Sequence, residues 1–107
     1  MASKRNAAEI LRKAAKLIDV HGFTKGQFGH EKCGFCTLGA LNNVAGGSIP
    51  RSNDWILARA ALYAFVSQTR GTSSVVFFND DPKTTKRDVT KFLRGTARAL
   101  EHGLVVK

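Results

Sequence analysis

The sequence predicts a mainly α-helical domain, a compact bundle of about four helices with room for one short extended segment or a two-stranded hairpin. Two observations predict it. Long segments carry apolar residues at helical spacing, each preceded by a capping residue and followed by a glycine. The length of 107 residues fits a single domain, 1–107. A chain of that size buries about two-thirds of its unfolded surface, so it needs no metal or disulfide to fold.

In the first helix Ala7, Ile10, Leu11, Ala14, Leu17 and Ile18 recur as one stripe, with Arg5, Arg12 and Lys16 opposite. Ser3 is the expected N-cap and Gly22 the stop. Residues 23–32 read as a glycine-rich loop. A short helix is expected over Cys36–Ala45, ended by Gly46-Gly47, with a turn at Ser48-Ile49-Pro50. Ser52 or Asn53 caps a third helix, which has Asp54 in its first turn and runs to about Arg70 before Gly71. Between Trp55 and Phe65 only Arg59 is charged. A helix apolar on nearly all sides is usually buried, so this one is expected at the centre, with Trp55 and Tyr63 in the core.

Val75-Val76-Phe77-Phe78 is an apolar run that suits a short strand or an extended segment, and periodicity does not choose between them. Asn79-Asp80-Asp81-Pro82 reads as a turn. Thr85 opens the last helix with Asp88 three residues on, a capping box with Asp in place of Glu. Val89, Phe92, Leu93 and Leu100 form its core stripe, and Gly103 ends it before the apolar tail Leu104-Val105-Val106. The first and last helices look faintly alike: Leu11-Arg12 through His21-Gly22-Phe23 matches Leu93-Arg94 through His102-Gly103-Leu104 with one residue deleted. Two copies do not make a repeat architecture.

Seventeen Lys and Arg face eight Asp and Glu, a net charge of +9. Such a field attracts polyanions, whether nucleic acid, anionic lipid or an acidic protein. No hydrophobic block follows the basic start Ser3-Lys4-Arg5-Asn6, so no signal peptide is read. The long uncharged run Cys33–Pro50 is interrupted by glycines and two asparagines and is no membrane span. Two cysteines without a secretion signal imply free thiols in a reducing compartment, and a cytoplasmic location is expected.

The strongest functional signal is a basic stripe. Arg87, Lys91, Arg94 and Arg98 fall within about a 60° arc of the last helix, opposite its core residues, and Lys83 and Lys86 extend the charge towards its start. Aligned cations without interleaved acids could track a phosphate backbone, although any surface helix must also have a solvated face. No base-reading motif accompanies them. A helix-turn-helix across Thr37–Arg59 would present the nearly all-apolar helix to the bases, so binding is expected to be to backbone and weakly sequence-specific.

Cys33 and Cys36 are spaced like a zinc knuckle, and His30 or His21 could add ligands, but no second clear pair appears. A Cys-Gly-Phe-Cys run at a helix start also suits a thiol redox pair, although no strand precedes it. Two ordinary thiols, one packed in the core, explain the same residues. His102 and His21 are more simply partners of helix C-terminal dipoles than catalytic bases. Asn79-Asp80-Asp81 has too few oxygen ligands nearby for a calcium loop.

Several segments together resemble a family of small uncharacterised proteins from actinobacteria and their phages, a domain of unknown function. The resemblance runs through Leu11–Ile18 with Gly22-Phe23-Thr24-Lys25-Gly26, then Cys36-Thr37-Leu38-Gly39-Ala40-Leu41, then Phe78-Asn79-Asp80, Thr84-Thr85 and Asp88-Val89. It implies a compact helical domain and no assigned activity. Cys36 and Asn79-Asp80 lie on its recognisable positions; Cys33 and the histidines do not. A phage source would imply a small accessory protein acting on host DNA or on a host protein. The expectation is therefore a non-enzymatic binding protein without a cofactor, engaging nucleic-acid phosphate. An interaction module on an acidic host-protein surface is the alternative, and a zinc or thiol site at Cys33 and Cys36 the third reading.

Overall fold

The first helix, α1, spans Lys4–His21 and sits at the middle of the molecule. The computed structural model describes residues 3–30, 32–44 and 52–106. Ser3 caps α1, its hydroxyl accepting from the Asn6 N–H, and the Gly22 N–H closes the far end on the Ile18 carbonyl. Ala7, Ala8, Leu11, Ala14, Ala15 and Ile18 are fully buried. Ile10 and Leu17 pack at the edge of the core instead. The four alanines explain the central position, because a helix with small side chains lets neighbours approach on more than one side.

After α1 the chain forms a minimal antiparallel hairpin, β1 (Gly29–His30) paired with β2 (Gly34–Phe35). Phe23 bridges to Phe35 alongside it. Gly34 has φ +86°, and a Cβ there would lie 2.6 Å from the Gly22 carbonyl carbon, so this crossing admits only glycine. The short extended element thus begins inside the expected loop and ends just beyond it at Gly34–Phe35, and it does not lie at Val75–Phe78. Helix α2 spans Thr37–Val44. The expected stop at Gly46-Gly47 and the turn at Ser48-Ile49-Pro50 lie outside the described residues.

Helix α3 spans Asn53–Arg70, capped by Ser52 and ended by Gly71 in the left-handed conformation. It is not the central helix. Its buried residues are Ala58, Ala61, Leu62 and Val66, Ile56 is half exposed, and Trp55 and Tyr63 only flank the core. The apolar circumference of α3 serves its several partly covered sides rather than full enclosure. Asp54 ties the starts of α1 and α3 together, accepting from the Ser3 N–H at 2.7 Å and from Asn6 Nδ2.

Val75–Asp80 is a helix, α4, capped by Ser74. Asn79 and Asp80, expected in a turn, form its last residues, and Asp81 and Pro82 follow it. What decides the run is its landing place: Phe78 packs on Phe92 with ring centroids 4.9 Å apart, and Val75 is fully buried. Helix α5 spans Lys86–Glu101 and opens with the full Thr85–Asp88 capping box. Val89, Phe92, Leu93 and Leu100 are buried as expected, together with Thr96 and Ala97. Leu104 and Val106 pack against the core while Val105 is exposed.

Helices α1 and α5 pack antiparallel, and two reciprocal ion pairs mark the register: Arg12 with Glu101, and Arg94 with Asp19. Each arginine follows the leucine of the matched motif, and each acid lies near the His-Gly end of the other helix. The two matched segments thus face each other along one antiparallel helix pair.

Candidate nucleic-acid interface

Arg87, Lys91, Arg94 and Arg98 are all exposed on α5 and line one groove of about 500 Å³, with Phe65 and Phe92 also in its walls. The two rings stack at 5.8 Å between centroids. This close approach of α3 to α5 depends on Gly95, where a Cβ would lie 3.2 Å from Phe65 Cε2. The helical period assembles the stripe, and the neighbouring helix turns it into a concave surface.

The six basic residues do not act as one set. Arg94 Nη2 is bonded to Asp19 Oδ2, and Lys86 Nζ donates to the Asp19 backbone carbonyl at 3.0 Å. Lys83 lies beside a separate hollow shared with Arg70, Asp81 and Asp88. Among the described residues, Arg87, Lys91 and Arg98 carry no ion pair. Like charges recur there at four-residue spacing, eased at Lys91 only by the longer-range attraction of Asp88. At the helix start the Thr85 backbone N–H, with the Thr85 hydroxyl, holds the Asp88 carboxyl below the usual carboxylate range.

The two thiols are free and differ in environment. Cys33 is exposed, with its Sγ 3.6 Å from the Gly34 carbonyl oxygen. Cys36 is the one packed in the core; it heads α2, and its Sγ accepts from the Gly39 N–H at 3.2 Å. A helix N-terminus pulls a thiol pKa down, but burial prevails and pushes Cys36 up. His21 packs edge-on against Phe35 with centroids 6.0 Å apart, and His102 caps the C-terminus of α5. The His30 side chain lies outside the described residues. Among the described residues no three His, Cys, Asp or Glu side chains gather as a metal-ligand group.

Sequence reasoning missed the role of Asn79, which is 2% exposed. Its Oδ1 accepts from the Thr37 N–H at 2.8 Å and the Thr37 hydroxyl at 2.6 Å. Its Nδ2 donates to the Thr24 carbonyl and to Asp80 Oδ1, and Asp80 Oδ1 also accepts from the Gly26 N–H. One amide thus spends both donors and both lone pairs on joining the post-α1 loop, α2 and α4. The same corner explains Gly39, where a Cβ would meet the Phe28 carbonyl oxygen at 2.0 Å, while that oxygen accepts from the Cys36 N–H. A buried Asn beside an acid was the available signal, but its partners lie 42 and 55 residues away.

A family model described as a family of unknown function (DUF6197) matches residues 2–99. The chain belongs to that family. The match covers every element except the last two residues of α5. No curated protein and no solved structure matches the chain. The segments that carried the resemblance converge on the Asn79 corner and on the α1–α5 pair. They help hold this chain's fold, and the basic groove shares no lining residue with that corner. Among the described residues no helix is long and apolar enough to cross a membrane.

Proposed function

We propose that this member of DUF6197 is a small basic, non-enzymatic binding protein that engages nucleic-acid phosphate backbone through the α5 groove with little sequence specificity. The observation that carries the reading is the groove itself: four cations on one arc, three of them without an ion pair among the described residues. Arg87, Lys91 and Arg98 would displace counterions from phosphates, and the +9 charge would steer the approach. Arg94 holds α1 through Asp19 and contributes charge from a fixed position. The resemblance to phage proteins supports an accessory role in a bacterial cytoplasm, acting on host DNA.

The test is fluorescence anisotropy with unrelated labelled duplexes across a salt series, for the native chain and for Arg87→Glu/Arg98→Glu. Arg94 is left intact, since reversing it would set two carboxylates together across α1 and α5. Three neutralised phosphates give a slope of log K against log salt of about −3, the same for every sequence, falling towards −1 in the variant. Absence of binding at low salt would overturn the reading. An acidic protein surface would then be the partner to seek.

A further inference from the structure

A second concavity, sharing no residue with the basic groove, lies between the post-α1 loop, α2 and α4. Its volume is about 410 Å³, within the range of small-molecule sites. Phe28, Cys36, Leu38, Val75 and Val76 make apolar walls, and Asp80 is the one charged residue among the described residues lining it. Phe28 is 61% exposed and Val76 49%, so the mouth carries uncovered apolar surface.

Asp80 is held in place from one side only. Its Oδ1 accepts from the Gly26 N–H at 3.0 Å and from Asn79 Nδ2 at 2.9 Å, while Oδ2 has no hydrogen bond to any described residue. An anchored carboxylate whose second oxygen is unbonded among the described residues, beside apolar walls, matches a ligand that is apolar in body and cationic at one end. In a chain of net charge +9, a lone acid at this position selects against anions locally, where the rest of the surface attracts them.

We propose that this cavity binds a small amine with an apolar body, its ammonium on Asp80 Oδ2 and its hydrocarbon against Val75, Val76, Leu38 and Phe28. The rigid support is the Asn79 corner, which fixes Asp80 without using Oδ2. The site is separate from the proposed phosphate groove, and either reading stands without the other.

The experiment is amide-resolved NMR titration of the full chain with phenethylamine, 2-phenylethanol and phenylacetate. Phenethylamine is expected to shift the Gly26, Gln27 and Asp80 amides saturably, and phenylacetate to act there at least about tenfold more weakly. Asp80→Asn keeps the Oδ1 acceptor and replaces Oδ2 with a donor, so it should remove the amine preference while the alcohol binds unchanged. Val76→Trp at the exposed mouth should block all three probes. A further readout is protection of Cys36 from alkylation by phenethylamine in a Cys33→Ser background. No saturable shift with the amine, or an amine preference that survives Asp80→Asn, would overturn the proposal. Phenylacetate shifting the Gly26 and Asp80 amides as strongly as the amine would overturn it too.

Discussion

Replacing Asn79 with alanine should be among the most damaging polar substitutions in this chain. The side chain is 2% exposed and makes four hydrogen bonds, two of them to Thr37, which is fully buried. Truncation strands the Thr37 N–H, one of the unpaired donors at the start of α2, and also its hydroxyl and the Thr24 carbonyl. An unsatisfied buried group costs about 1–3 kcal/mol. The hydroxyl can rotate and the Thr24 carbonyl is only half buried, so the sum is about 3–4 kcal/mol. That is a large share of the 5–15 kcal/mol typical of a domain, and it corresponds to a Tm loss of about 12–16 °C. Urea and thermal melts of Asn79→Ala measure it. Asn79→Asp isolates the donor half: Oδ1 keeps its bonds, but an oxygen now faces the Thr24 carbonyl and Asp80. The fold then favours the protonated new carboxyl and raises its pKa above the unfolded value. The new carboxyl's contribution is therefore fully present below its unfolded pKa and is lost as pH rises through the raised value, so the stability difference from the native chain widens with pH. A loss below about 1 kcal/mol for Asn79→Ala, or a pH-independent Asn79→Asp, would refute the assignment of Asn79 as the joint of the corner.

Acid should destabilise the native chain partly through two carboxylates. Arg12 holds Glu101 below its ordinary pKa, and the Thr85 cap does the same for Asp88. Their contribution is present above the ordinary carboxylate range and is lost as pH falls below about 4, so Glu101→Gln/Asp88→Asn should flatten the acid limb of Tm against pH. Disulfide reagents should titrate one thiol fast and one slowly, with Cys33→Ser removing the fast phase and denaturant exposing Cys36; two equally fast thiols would contradict the buried position of Cys36. Gly39→Ala drives a methyl into the Phe28 carbonyl and should cost about 2 kcal/mol or more by chemical denaturation, whereas at Gly95 the neighbour is the end of the Phe65 ring and the cost should be smaller. Thr85→Ala removes a cap and should cost about 1 kcal/mol in the same assay.

The legible parts of the fold were those with local causes. Ser3, Ser52 and Thr85 cap their helices because a hydroxyl and an N–H three residues on are neighbours in any helix start. The α5 core stripe follows from period alone, as does the exposed arc of Arg87, Lys91, Arg94 and Arg98. Helix α4 was not legible because six residues carry no usable period, and Ser74 with the Phe92 landing site decides its conformation. The central position was misassigned to α3 because apolar content was weighed without size. The alanines of α1, modest in hydrophobicity, are what admit close neighbours.

Composition and pattern alone were enough to establish a basic helical chain, the ends of its long helices and the face that α5 turns to water. Each of these follows from interactions between residues a few positions apart. Pairing Arg94 with Asp19 across 75 residues, closing the basic stripe into a groove with Phe65, and seating Asn79 between Thr24 and Thr37 belong to the packed molecule. Their partners become neighbours only when hydrophobic burial brings the five helices onto one core, and no local period encodes that meeting.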